Sequence, residues 1–168
     1  MPDAITVTQN AGSLESKGVE AELSATPLSG LRFDYSFGYT KAVFKEMKVS
    51  SNGQEVDLSG NRQIFTPDIT SMLAAQYGLA LNKKKTLSAY ARFEWLYLGK
   101  QYFDLANQIY QEPNQVLNTK IGVRFKHVEL NFWNRNIANR TYIDYAYDFG
   151  AVHLADPQTW GTGLRVDF

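Results

Sequence analysis

Strict alternation of apolar and polar residues constrains the fold of this 168-residue chain more than any other feature. Residues 31–40 show it most clearly, because all five odd positions are large apolar or aromatic residues and the even positions are charged, small or hydroxyl-bearing. Side chains of a β-strand point to opposite faces in turn, so this segment has one apolar and one polar face. A helix would not separate the two sets of residues in this way.

The same period recurs in six other segments. They are residues 18–25, 69–81, 87–97, 117–125, 128–135 and 160–168. Short turns lie at 27–30, 82–85 and 126–127, and they alternate with three long polar connections. The first connection ends near Pro67, the second contains Pro113, and the third spans about 136–158. Antiparallel membrane barrels combine short turns at one rim with long loops at the other. The sequence therefore predicts an all-β fold of about seven antiparallel, up-and-down transmembrane strands.

The two faces of these strands require different surroundings. The polar face carries ionised side chains that would be costly in a packed core but are ordinary in a water-filled lumen, namely Arg32, Asp34, Arg92, Glu94, Lys120, Arg124, Arg165 and Asp167. The apolar face carries aromatic residues near its ends, with Tyr39, Trp95, Tyr97 and Trp160 towards the long loops and Phe33, Phe125 and Phe168 towards the short turns. Aromatic girdles mark both interfaces of membrane barrels, so we expect lipid against the apolar face.

Composition excludes several other classes of protein. Lysine plus arginine number 17, as do aspartate plus glutamate, so the zero net charge gives no field that would recruit nucleic acid. The chain has no cysteine and no run of about 18 apolar residues, which excludes disulfides, thiolate metal sites and a transmembrane helix. Residues 1–10 lack the features of an export signal, so either a signal lies upstream or the protein is cytosolic. The lysine run at 83–85 is interpreted as a solvated corner of the periplasmic rim.

Four segments, taken in order, resemble the C-terminal part of a TonB-dependent receptor. They are Asn10-Ala11-Gly12 followed by residues 16–23 (SKGVEAEL), residues 38–42 (GYTKA), residues 135–142 (RNIANRTY), and the strand that ends at Phe168. The resemblance spans nearly the whole chain but corresponds only to the last part of such a receptor.

The resemblance implies a bacterial outer-membrane importer of siderophores, haem, cobalamin or glycans, built as a barrel of about 22 strands around a plug. Residues 1–168 would form the C-terminal barrel segment, with the plug absent. Its partners would be outer-membrane lipid, the rest of the barrel and the plug, and the TonB complex only through that missing plug. We expect Met1 to mark a truncated gene, a gene-model start or one piece of a split receptor.

The third long connection holds the candidate ligand-binding residues. Tyr142, Tyr145 and Tyr147 could contact the apolar body of a ligand, and Asp148 and His153 its polar groups. A solvated loop or an outer aromatic girdle would explain the same residues. His127 and His153 show no metal-ligand spacing, and no catalytic motif is present, so we predict no metal site, cofactor or enzymatic activity.

The last strand carries a second candidate function. Trp160, Leu164, Val166 and the terminal Phe168 share the apolar face. A strand closed by an aromatic residue resembles the signal read by the barrel-assembly machinery, so we expect recognition during membrane insertion.

Two alternatives remain open from the sequence alone. Residues 5–10 could add an eighth strand and close a small outer-membrane barrel with a structural or adhesive role. A soluble lipocalin-like barrel would instead turn the apolar face inward around a hydrophobic ligand and expose the charged face to water.

Overall fold

The computed structural model describes residues 12–51, 54–147 and 149–168, which form thirteen β-strands. In chain order they are β1 (Ser13–Leu28), β2 (Leu31–Glu46), β3 (Lys48–Ser51), β4 (Gln54–Asp57), β5 (Ile69–Ala80), β6 (Leu87–Leu98), β7 (Gln101–Tyr102), β8 (Tyr110–Gln111), β9 (Asn114–Phe125), β10 (Val128–Arg135), β11 (Ile143–Ala146), β12 (Val152–Leu154) and β13 (Thr159–Val166). Within the described residues no helix is long and apolar enough to cross a membrane.

Seven of the strands form one antiparallel sheet in the order β1-β2-β5-β6-β9-β10-β13. Each corresponds to one of the seven segments predicted from alternation, and consecutive long strands are neighbours throughout, so the predicted all-β, up-and-down fold is confirmed. The remaining six strands pair as the short hairpins β3–β4, β7–β8 and β11–β12. These hairpins lie in the three long connections, which the sequence predicted only as polar loops.

β1 and β2 are longer than their alternating segments. Their pairing runs from Ser13 opposite Glu46 to Leu28 opposite Leu31, whereas the alternation predicted only 18–25 and 31–40. Backbone hydrogen bonds continue beyond the region where one face must be apolar, so the side-chain pattern underestimates the length of the hairpin. β13 ends at Val166, two residues before the predicted end at Phe168.

The register keeps the two faces separate across the sheet. Phe33 lies opposite Ala75, which lies opposite Phe93, while Arg32 lies opposite Gln76 and Gln76 opposite Arg92. A shift of one residue in any pair would place charged side chains on the apolar face. The predicted assignment of residues to faces is therefore retained from strand to strand.

The apolar face is exposed in the described part of the chain. Leu164 is 70% exposed, Leu23 64%, Val19 63%, Leu130 58% and Ile121 55%. The buried apolar side chains instead include Ala42, Phe44, Met47, Phe103 and Ala146, all near the long loops. An exposed apolar surface of this extent is unfavourable in water and favourable against hydrocarbon.

The polar face carries ion pairs. Arg32 lies 2.8 Å from Asp34, Arg92 lies 2.7 Å from Glu94, and Arg92 also lies 3.9 Å from Asp34. These side chains remain partly exposed, so each pair contributes little free energy on its own. Their effect is to keep a charged face electrically balanced.

The aromatic residues near the long-loop rim contact one another as a girdle requires. The rings of Trp95 and Tyr97 stack with centroids 6.0 Å apart, and those of Phe132 and Trp160 lie 6.1 Å apart. Trp95 Nε1 donates a hydrogen bond of 2.9 Å to Gln115 Oε1. The Trp95 indole thus has apolar and polar neighbours at once, which suits a membrane interface.

The sheet is open. β1 and β13 stand at its two ends, and among the described residues each has one neighbouring strand. The predicted eighth strand at 5–10 lies outside the described residues.

On the polar face, the Tyr90 ring packs against a glycine of a neighbouring strand. Tyr90 lies between Gly78 on β5 and Gly122 on β9, and its hydroxyl donates a 2.7 Å hydrogen bond to Glu129. A Cβ on Gly122 would collide with the Tyr90 ring, whereas a Cβ on Gly78 would meet its nearest atom at 3.8 Å.

We expect Gly122→Ala to displace Tyr90 and destabilise the barrel by about 1–3 kcal/mol. The matched variant Gly78→Ala should be neutral or slightly stabilising. In the complete receptor, the urea concentration at which half of the heat-modifiable electrophoretic form is lost measures the stability of each variant. Equal midpoints for the two variants would show that Tyr90 is not held over Gly122.

Candidate ligand site at the long-loop rim

Hydrogen bonds join the first and second long connections. Asn61 Nδ2 donates to the carbonyl of Leu105 over 2.8 Å. Asn107 Oδ1 accepts from the backbone N–H of Arg62 at 2.7 Å, and Asn107 Nδ2 donates back to the Arg62 carbonyl at 3.1 Å. Asn107 has a φ of 58°, a conformation that asparagine tolerates better than most residues. The two loops are therefore fixed to each other by side chains that satisfy backbone groups.

A ladder of aromatic rings connects all three long loops. The rings of Phe103 and Phe65 lie 5.7 Å apart, those of Phe65 and Tyr145 stack at 5.2 Å, those of Tyr145 and Tyr147 meet at 4.8 Å, and those of Tyr147 and Phe149 stack at 5.0 Å. We call these five residues the aromatic column. Its exposure rises from 3% at Phe103 to 76% at Phe149, so it runs from a buried base to solvent.

An open cavity of about 740 Å³ lies beside the aromatic column. Its lining includes Phe65, Phe103, Tyr145 and Tyr147, together with aliphatic side chains such as Val56 and Leu58 of the first loop. Aromatic and aliphatic walls of this kind suit the apolar part of a bulky ligand. We refer to this space as the outer cavity.

A second open cavity of about 660 Å³ lies between the third loop and the polar face of the sheet. The sheet contributes residues such as Asn114, Asn118 and Arg135, and the loop contributes Tyr142, Asp144, His153 and Asp156. We refer to it as the lumen cavity. Unlike the outer cavity, it has an arginine and a histidine in its lining, so the two could contact different parts of one ligand.

The predicted ligand-binding residues divide between these spaces. Tyr142 and His153 line the lumen cavity, and Tyr145 and Tyr147 line the outer cavity. Asp148 lies outside the described residues. In the part of the chain that the structure describes, histidine and carboxylate side chains do not form a metal-binding cluster of three or more.

Two features shape the electrostatics of the lumen cavity. Burial, reinforced by the nearby carboxylates of Asp144 and Asp156, raises the pKa of the Tyr142 phenol. A tyrosine phenol is already protonated at neutral pH, and this shift keeps the Tyr142 phenol a hydrogen-bond donor at higher pH as well. Asn114 Nδ2 is buried and has no acceptor among the described residues. The cavity thus offers neutral donors beside negative charge.

The Asn136 side chain joins the two ends of the third loop. It is 4% exposed, its Oδ1 accepts from the Arg140 backbone N–H at 2.8 Å, and its Nδ2 donates to the carbonyls of Arg140 at 2.8 Å and Asp156 at 3.1 Å. Its φ is 49°, and that of Asn139 is 48°. Asparagine suits both positions because it tolerates this backbone and its amide binds nearby peptide groups. These residues belong to the RNIANRTY segment.

Sequence reasoning missed two parts of the site. Phe65 lies in a polar connection, and its φ of 53° and its stacking on Tyr145 depend on a loop far along the chain. Lys100 places its Nζ 3.6 Å from the Tyr110 ring centroid and 5.5 Å from that of Tyr102, and 3.2 Å from Glu112 Oε1. Alternation carries no signal for either contact.

We expect Asn136→Ala to loosen the third loop, because it leaves three backbone groups without partners and forces alanine into positive φ, at a cost of about 2 kcal/mol or more. The rate of proteolytic cleavage within 137–158 should rise. Asn136→Gly, which tolerates the backbone but lacks the amide, should have a smaller effect. Unchanged cleavage in both variants would contradict the anchoring role.

Comparison with known proteins identifies relatives of this chain. The family described as "TonB dependent receptor-like, beta-barrel" matches residues 1–137. The ferric yersiniabactin uptake receptor FyuA from Yersinia pestis is similar in structure, with a TM-score of 0.81 and 23% identity over 95% of this chain and 24% of that chain. The siderophore receptor PiuA from Acinetobacter baumannii gives a TM-score of 0.73 and 18% identity over 90% of this chain and 21% of that chain.

The ferripyoverdine receptor of the outer membrane of Pseudomonas aeruginosa gives a TM-score of 0.62 and 16% identity over 92% of this chain and 20% of that chain. The chain thus spans between 20% and 24% of the length of these three structures. Such identities establish a shared fold. Proteins of the matched family are outer-membrane proteins of Gram-negative bacteria, and the open sheet agrees with part of such a barrel. Because the family match covers most of its length, the chain belongs to the TonB-dependent receptor β-barrel family.

Proposed function

We propose that this chain forms part of the barrel wall and the ligand-contacting loops of a TonB-dependent importer of ferric siderophores or similarly bulky nutrients. One observation supports this proposal most directly. The aromatic column and cross-loop hydrogen bonds join three long loops at one rim of the sheet, and the apolar face of that sheet is exposed. Siderophores are suggested by the structural relatives, which include the siderophore receptor PiuA and the ferric yersiniabactin uptake receptor FyuA.

The sheet suits a barrel wall. Its exposed apolar face would contact hydrocarbon, and its ion-paired face would line a water-filled lumen. Family membership favours this arrangement over a soluble lipocalin-like barrel, in which the apolar face would surround the ligand.

The open edges bear on the organisation of the whole receptor. Among the described residues the outer edges of β1 and β13 have no neighbouring strand, and each unpaired backbone group there would cost several kcal/mol in lipid, so further strands must pair with them. We propose that residues 1–168 are the C-terminal segment of a barrel of about 22 strands, and that a plug inside this barrel makes the contact with the TonB complex. The segment itself would act passively, by shaping the lumen and holding the loops.

The ligand would first meet the exposed end of the aromatic column. Tyr147 and Tyr145 offer ring faces and hydroxyls in the outer cavity, and Tyr142 and His153 offer polar groups in the lumen cavity below the third loop. Asp148 stays a candidate from the sequence alone. This arrangement suits binding, and the matched family consists of transport receptors rather than enzymes.

The end of the chain is proposed to act in assembly. Trp160, Leu164 and Val166 alternate along the apolar face of β13, and Phe168 lies just beyond the last paired residue. An edge strand with free backbone groups and an accessible aromatic end could pair with the barrel-assembly machinery before its final neighbour arrives.

We expect Tyr145→Ala combined with Tyr147→Ala to weaken ligand uptake about tenfold at low ligand concentration, because aromatic anchors contribute much of the binding energy at such sites. Radioactive iron uptake would be measured in iron-starved cells that make the complete receptor, using a ferric tris-catecholate, a ferric tris-hydroxamate and ferric citrate. Tyr77→Ala, on the apolar face, serves as the control. Transport of none of these probes, or equal uptake by both variants, would contradict the proposal.

We expect Phe168→Ala to reduce the amount of folded protein in the outer membrane several-fold without changing the thermal stability of the molecules that do assemble. Immunoblots of unheated and heated membrane fractions measure assembly and stability together. Phe125→Ala removes an aromatic ring at the same rim from an interior strand and should assemble normally. A loss of assembly in both variants would indicate a girdle effect instead of a signal.

A further inference from the structure

Four lysines cluster at the short-turn rim of the sheet. Lys83, Lys84 and Lys85 lie in the turn between β5 and β6, and Lys126 lies in the turn between β9 and β10. The Lys126 backbone N–H donates a 2.8 Å hydrogen bond to the carbonyl of Thr86, which joins the two turns. All four side chains are exposed. We call these four residues the lysine patch.

The longer turn is held in one shape by Asn82. Its Oδ1 accepts from the backbone N–H groups of Thr86 at 2.9 Å and Leu87 at 3.2 Å, and its Nδ2 donates to Thr86 Oγ1 at 2.8 Å. Lys85 has a φ of 54°, and its N–H donates to the Asn82 carbonyl at 3.0 Å. The backbone that presents the patch is therefore fixed by side-chain hydrogen bonds as well as by the strands.

The charges of the lysine patch are not neutralised within the described residues. None of its four lysines takes part in the ion pairs found there. The acidic groups at the adjoining ends of β10 and β13 are already paired, since Glu129 lies 3.0 Å from Arg124 and Asp167 lies 2.8 Å from Arg165. A chain of zero net charge thus concentrates unpaired positive charge at one rim.

The opposite rim is different. There Lys45 lies 3.4 Å from Glu15, and Lys48 lies 2.7 Å from Glu55. The Glu55 carboxylate raises the pKa of Lys48 through its hydrogen bond and its charge. At the long-loop rim Lys45 and Lys48 are therefore paired with acids, whereas the four lysines of the patch are not.

Exposed apolar side chains border the lysine patch. Leu79 is 42% exposed, Leu81 49%, Phe125 51% and Val128 42%. Lys126 Nζ lies 5.4 Å from the centroid of the Phe125 ring. A cation above an aromatic ring at the edge of an apolar surface is the arrangement by which lysine places its stem against hydrocarbon and its charge at the headgroup level.

We propose that the lysine patch binds the anionic phosphodiester headgroups of phospholipids in the periplasmic leaflet of the outer membrane. Short turns face the periplasm in such barrels, so the patch meets that leaflet. Fixed positive charge next to an apolar collar complements a lipid that carries negative charge above its acyl chains. The inference rests on the outer-membrane location of the family and not on the proposed transport.

Native mass spectrometry of the complete receptor, purified in mild detergent, tests this site. Phosphatidylglycerol or phosphatidylcholine would be added in turn, with inorganic phosphate as a competitor. We expect phosphatidylglycerol to be retained in preference to phosphatidylcholine. The variant with Lys83, Lys84, Lys85 and Lys126 all changed to Gln should bind phosphatidylglycerol at least about tenfold more weakly, since each lysine near an anionic surface contributes roughly fivefold.

The control variant changes Lys17, Lys41, Lys45 and Lys48 to Gln, which removes the same number of charges from the other half of the sheet, and it should retain the preference. Replacement of the lysine patch by arginines should also retain it, and this variant keeps the test valid if the glutamine variant does not fold. Equal retention of the two lipids, wild-type binding by the glutamine variant, or displacement by inorganic phosphate alone would overturn the proposal. Loss of lipid preference with normal iron uptake would separate this site from the ligand site.

Discussion

Antiparallel pairing of backbone groups is the interaction on which the rest of this structure depends. In hydrocarbon a peptide group without a partner costs several kcal/mol, so the strands must remain hydrogen-bonded along their whole length in the membrane. The register set by those bonds keeps Phe33, Ala75 and Phe93 on one face and Arg32, Gln76 and Arg92 on the other. The separation of lipid from lumen therefore follows from the backbone.

In the loops outside the membrane, side-chain contacts hold the chain in its conformation. Asn107 joins the first two loops, Asn136 joins the two ends of the third loop, and Phe65 stacks on Tyr145 between loops that are distant in sequence. These residues bring together the outer cavity, the lumen cavity and the aromatic column. The membership of the chain in the TonB-dependent receptor β-barrel family explains why an elaborate loop surface is built on a simple repeating sheet.

The polar face, the long-loop rim and the short-turn rim differ in how their charged side chains are paired. On the polar face, carboxylates and guanidinium groups pair in a wet environment and contribute little stability individually. At the long-loop rim Lys45 and Lys48 are paired with acids, whereas at the short-turn rim the lysine patch takes part in none of the ion pairs of the described residues. A net charge of zero conceals this asymmetry, which appears only when the residues are placed on the two rims.

The sequence by itself determined the seven long strands, the face on which each residue lies, and the alternation of short turns with long loops. It could do so because a two-residue period is local and needs no knowledge of distant contacts. It did not determine the three loop hairpins, the extension of β1 and β2, or the neighbours of Phe65, Asn136 and Lys126. Tertiary structure decided these features, because cross-loop stacking, positive φ values and hydrogen bonds between separate turns depend on residues that meet only after the sheet has formed.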